Sequence, residues 1–136
     1  MLSFAEFTQI TNQNAVPANT VINMTPVAPF PVGPSITFVG GNIILAPGFY
    51  DAGFHNTSDP QTDTQDSGMK LRLNGVDIEG SVITFQDSGD LPGTVAFPVA
   101  GRVVFQVTLP DSTLTLTSLG ASQNVVNASL TVIQIG

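Results

Sequence analysis

The chain contains no cysteine and no tryptophan, a single histidine and a single tyrosine, and only three basic residues, Lys70, Arg72 and Arg102. Without cysteine there is no disulfide, no thiolate nucleophile and no thiolate metal site. With His55 as the only imidazole, the paired histidines of zinc sites are absent, and nucleophile and base pairs lose their commonest base. Three cations against a formal net charge of −7 argue against nucleic acid, whose phosphates are neutralised by clustered Lys and Arg. Charged residues make up 10 % of the chain while 42 % are hydrophobic, and that composition supports a packed core.

Long apolar runs are also missing. Residues 7–50 carry no charge, yet Pro17, Pro26, Pro29, Pro31, Pro34 and Pro47 interrupt them, and no stretch reaches the 18 apolar residues that a membrane helix needs. We therefore expect no membrane insertion. The first residues, Met-Leu-Ser-Phe-Ala-Glu-Phe, lack the basic start and apolar run of a secretory signal, so the sequence reads as a mature start.

What is present is the composition of strands and tight turns. Fifteen valines, fifteen threonines and nine phenylalanines are punctuated by 13 glycines and 10 prolines, and apolar residues nowhere recur at helical spacing over the 11 residues a helix assignment requires. At 136 residues the chain fits one domain, residues 1–136. Strands are predicted over 3–8, 20–24, 35–39, 42–46, 48–55, 69–73, then 76–78 or 81–85 as the return of a hairpin, and 95–99, 102–109, 113–119 and 128–135, about ten in all. Asn74-Gly75 is the strongest hairpin signal in the chain. Alternation through Met69, Lys70, Leu71, Arg72 and Leu73 predicts an apolar face and an exposed face bearing both cations. An acidic loop is expected to follow His55 and continue to Asp66, with a second acidic turn at Asp87 to Asp90.

Two late strands are apolar on both faces. Val103, Phe105 and Val107 point one way and Val104 the other, while Val132 opposes Ile133 and Ile135. A sandwich strand needs only one apolar face, so the second must be covered by more of the chain or by another subunit. Twelve of the 13 charged residues lie between Asp51 and Asp111. The neutral chain ends are therefore expected to form adjacent strands of a sheet covered by subunits, with Phe4, Phe7, Val104, Val132, Ile133 and Ile135 in the contact.

The run Ile43-Ile44-Leu45-Ala46-Pro47-Gly48-Phe49-Tyr50, then Leu71, Leu73-Asn74-Gly75 and Gly80-Ser81, then Gly101-Arg102-Val103-Val104-Phe105, Leu114-Thr115-Leu116 and Asn127-Ala128-Ser129-Leu130-Thr131-Val132-Ile133 resembles the C1q/TNF-like jelly rolls. It is similar in particular to the C-terminal domain of bacterial exosporium collagen-like glycoproteins. The resemblance implies an all-β, two-sheet jelly-roll sandwich, with Tyr50 seated in the core, that forms a homotrimer around the sheet holding the first and last strands. It also implies binding or coating rather than catalysis. No collagen-like Gly-x-y repeat precedes the domain, so this version is expected to stand without a stalk. After Tyr50 the apolar alternation gives way to Asp51, Ala52, Gly53, Phe54 and His55, which departs from the family pattern.

Candidate chemistry is sparse. His55 lies four residues from both Asp51 and Asp59, a base or ligand in principle, but a lone histidine at a strand end is the simpler reading. Asp59, Asp63 and Asp66 form the other notable cluster, of hard oxygen ligands at short spacing, and the resemblance gives calcium as the ion to consider. Their spacing is not an EF-hand loop and lacks its closing Glu, so we expect a solvated turn, with no metal and no cofactor. Three glycosylation patterns, at Asn23, Asn56 and Asn127, are expected to be chance. These features predict a non-enzymatic structural protein, a trimeric decoration or coat protein on a virion surface, with a phage capsid or other particle shell protein as partner. The alternatives are a receptor-binding or glycan-binding head, or a coat protein of a spore or cell surface.

Overall fold

The computed structural model describes residues 2–61, 66–86 and 96–136. Twelve strands and no helix occupy them: β1 (Phe4–Gln9), β2 (Gln13–Val16), β3 (Met24–Pro26), β4 (Ile36–Val39), β5 (Asn42–Leu45), β6 (Gly48–Pro60), β7 (Asp66–Leu73), β8 (Val76–Asp77), β9 (Ile83–Gln86), β10 (Phe97–Val107), β11 (Ser112–Gly120) and β12 (Gln123–Gln134). They build two six-stranded sheets. The first runs β10-β6-β12-β1-β3, with β2 also paired to β12; the second runs β4-β5-β11-β7-β8, with β9 also paired to β7.

The chain ends meet as expected: β1 lies antiparallel to β12, with Phe4 opposite Ile133 and Thr8 opposite Ser129. Side chains alternate across a strand, so one set of rows faces the second sheet. Ala5, Val132 and Ala52 share one such row, and Phe7, Leu130 and Phe54 another, all of them in the buried core. From the second sheet Ile36, Leu45, Leu71, Leu114 and Leu116 complete that core.

Tyr50 is fully buried, its ring stacked on Phe105 at 5.9 Å and its hydroxyl donating to the Ala46 carbonyl at 2.6 Å. That donation satisfies the one polar group a buried tyrosine brings with it, and burial pushes its ionisation above the ordinary phenol range. At the Asn74-Gly75 hairpin both residues have positive φ, 52° and 78°, the pair of left-handed conformations that a two-residue turn of this hand requires. Asn74 also ties its neighbour strand: its Oδ1 accepts from the Thr113 amide at 2.9 Å and its Nδ2 donates to Ser112 Oγ at 3.1 Å.

Three expectations change. Strand β6 does not stop at His55 but runs to Pro60, because the inward positions beyond Phe54 are Asn56 and Ser58, buried polar residues joined by a 2.7 Å hydrogen bond. Asp66, expected at the end of the acidic loop, instead opens β7, and residues 62–65 lie outside the described residues. The two strands expected at 95–99 and 102–109 are one, β10 (Phe97–Val107), which pairs with β6 along that whole length. Lys70 is not on an exposed face: it is 7 % exposed, its stem covered and its Nζ donating to Asn19 Oδ1 at 3.0 Å and paired with Asp77 at 3.1 Å.

Candidate functional site

The outward face of the first sheet is where the sequence placed a subunit contact. Successive outward rows cross β1, β12, β6 and β10 in order. The first is Phe4, Ile133, Asp51 and Val104; the second Glu6, Thr131, Gly53 and Arg102; the third Thr8, Ser129, His55 and Ala100. Beyond the first row the Ile135 amide donates to the Phe49 carbonyl, extending the face toward the chain ends.

One end of this face is apolar. Leu2, Phe4, Phe49, Val104, Ile133 and Ile135 are all large exposed hydrophobics, half of the twelve such residues in the described structure. Phe30, from the segment between β3 and β4, packs edge-on against Phe4 at 5.7 Å. Between them, Ala5, Glu6, Thr131 and Ile133 line a hollow of about 330 Å³.

Gly53 sits at the middle of the second row. A Cβ there would meet nothing nearer than the Gly101 carbonyl at 3.8 Å, so the isolated fold leaves room for a side chain. With no side chain of its own at this position, Gly53 permits close approach from outside.

Of the six residues expected in the contact, Phe4, Val104, Ile133 and Ile135 lie on this outward face. Phe7 and Val132 do not. Both are 0 % exposed inside the sandwich, because strand alternation sends Phe7 and Val132 to the side opposite Phe4 and Ile133. Two-sided apolarity was visible in the sequence, but which side faced inward was not. Phe49, Glu6 and Arg102 were missed, and the register that aligns them is a long-range property.

The electrostatics of the face centre on Arg102. Its Nε donates to Asp51 Oδ1 at 2.8 Å and to Oδ2 at 3.0 Å, and its Nη2 also pairs with Oδ2. This pairing holds the Asp51 carboxyl below the ordinary carboxylate range and raises Arg102. The Lys70 and Arg72 side chains both pair with Asp77 on the second sheet, and they too lower its carboxyl.

The other candidate chemistry does not assemble. Asp51, His55 and Asp59 alternate along β6 on the same outward side, but four residues of strand separate neighbours by about 13 Å. Asp59 lies near the end of β6 in the first sheet, Asp66 opens β7 in the second, and Asp63 lies outside the described residues, as does the acidic turn 87–90. Among the described residues no three His, Cys, Asp or Glu side chains group to hold a metal. Asn56 is buried, Asn127 sits at positive φ where β12 shifts register, and Asn23 Oδ1 accepts from the amides of Ile10 and Thr11.

No family model and no curated protein matches the sequence. Solved structures do match the fold over nearly the full length. Murine APRIL superposes with a TM-score of 0.70 at 11 % identity, covering 99 % of this chain and 100 % of that one. Eiger TNF from S. frugiperda gives 0.62 at 13 % identity, covering 99 % and 93 %. The globular domain of the zebrafish complement 1qA protein gives 0.60 at 14 % identity, covering 98 % of each. Two antiparallel sheets, with first and last strands side by side in one of them, thus carry the C1q/TNF-like jelly-roll fold in this chain.

Proposed function

We propose that this chain is a non-enzymatic structural protein that works as a homotrimer, with the outward face of the first sheet as its subunit contact. The observation that carries this reading is the clustering of Leu2, Phe4, Phe49, Val104, Ile133 and Ile135 on one side of that sheet. An apolar patch of this kind on a chain with so few charges favours a covered surface, and closed cyclic symmetry covers such a patch without growing a fibre. The C1q/TNF-like fold supports the threefold choice.

The setting we propose is a particle surface, as a decoration or coat protein of a virion bound to a shell protein of the capsid. A compact trimer offers three equal contacts to a lattice, and these add as avidity even where each is weak. Native mass spectrometry at micromolar concentration tests the assembly: three times 14.2 kDa is expected, and a monomer would remove the reading. Mass spectrometry and imaging of purified particles test the setting. Stoichiometric copies on capsids support it; finding the protein only on spores, cells or fibre tips would replace it with a coat or receptor-binding role.

A further inference from the structure

We propose that Glu6 of one subunit pairs with Arg102 of its neighbour, and that this contact fixes the register of assembly. The inference rests on self-association through the outward face and adds to it a specific charged contact.

Glu6 and Arg102 occupy opposite sides of one row, separated by Thr131 and Gly53. Three strand spacings put them about 14 Å apart, too far to pair within a chain. The Glu6 carboxylate has no hydrogen-bonding or ionic partner among the described residues. Among the described residues Arg102 is the sole lysine or arginine on this face, and its side chain is 72 % exposed. Asp51 occupies the Nε and Nη2 side of the guanidinium, and among the described residues none accepts from Nη1. A planar fork held on one edge by one carboxylate is preorganised to take a second on the other.

Rotation about an axis running along the strands keeps every row at its own height. It therefore brings the β1 side of one copy toward the β10 edge of the next with Glu6 and Arg102 level. Gly53, between them in the row, lets the neighbour approach closely. A slip along the strands by one outward row would set Glu6 against Val104 or Ala100 and leave a carboxylate desolvated and unpaired, which disfavours the wrong register.

A double-mutant cycle on the assembled protein tests this, using Glu6→Gln, Arg102→Gln and the double variant, with dissociation followed by native mass spectrometry against dilution and salt. Each single variant should weaken association about tenfold and the double no more than either single, since the cycle isolates the pair and cancels the loss of the Arg102–Asp51 contact within a chain. Wild-type association should also weaken with salt more steeply than that of Glu6→Gln. If the wild type assembles and the single effects are additive or absent, the pair is overturned while assembly through this face stands. A wild-type monomer would overturn both. A dimer showing the coupling would keep the pair and replace the threefold arrangement.

Discussion

Lys70 Nζ lies 3.0 Å from Asn19 Oδ1, and this contact fastens the segment between β2 and β3 to the second sheet. Around it the Asn19 amide donates to the Ser118 carbonyl, the Ser118 amide to the Thr20 carbonyl and the Ile22 amide to the Leu116 carbonyl. Residues 19–22 thus continue beside β11 where β5 ends, and the Lys70 stem lies across the outer side of the second sheet.

Replacing Lys70 with Ala should cost about 1–2 kcal/mol, from the lost hydrogen bond and the uncovered stem contacts. Denaturant melts measure the loss. Hydrogen exchange should quicken first at Thr20 and Ile22, because the freed segment is the one Lys70 holds. Exchange unchanged there, with the same overall loss, would show that Lys70 acts only through Asp77.

Adjacent residues on β12 should respond oppositely to a charge. Val132→Asp places a carboxylate in the core and should destabilise the subunit by more than about 4 kcal/mol. Ile133→Asp, on the outward face, should leave the isolated subunit within about 1 kcal/mol of wild type and abolish its assembly. Circular-dichroism melts and native mass spectrometry on the same two samples separate the effects.

Acid should destabilise the fold through Asp51 and Asp77, whose carboxyls are lowered by Arg102 and by Arg72 with Lys70. Between the folded and unfolded pKa values the unfolded chain binds more protons, so stability rises with pH in that window. The contribution is complete above the unfolded Asp value of about 3.9 and is lost as pH falls through the folded values. Melting temperatures from pH 6 to pH 2 should fall mainly below about pH 4, and Asp77→Asn should flatten part of that fall.

Chelation should leave the melt unchanged. Asp59 and Asp66 belong to different sheets, and no metal-binding group forms among the described residues. A rise of several degrees on adding calcium, removed by Asp63→Asn, would overturn this expectation.

The sequence carried those features that local chemistry decides. Asn74-Gly75 marked its hairpin because few other residues accept two successive positive φ angles, and the uncharged ends marked two strands that do pair. Features decided by distant partners were hidden. Strand β2, Gln-Asn-Ala-Val, has no apolar alternation and exists through its pairing with β12, where the register shifts. Lys70 looked solvent-facing because Asn19, which covers it, is 51 residues away. Phe7 and Val132 were recognised as strand residues, but a period of two fixes only that neighbours face apart. The direction is set by the facing sheet. The same limit hid Glu6 and Arg102, which share a row only once β12 and β6 stand between them.

The side-by-side placement of β1 and β12 also governs when this protein can fold. Phe4 waits for Ile133, and β6 waits for the same final strand along its inner edge. During synthesis the early part of the first sheet therefore stands with an open edge and an uncovered core until β12 has left the ribosome. Pairings of such long sequence separation make closure slow, and unpaired strand edges in the interval invite aggregation. Production should accordingly favour slow, cool expression, with subunits meeting only after each has closed its own sandwich.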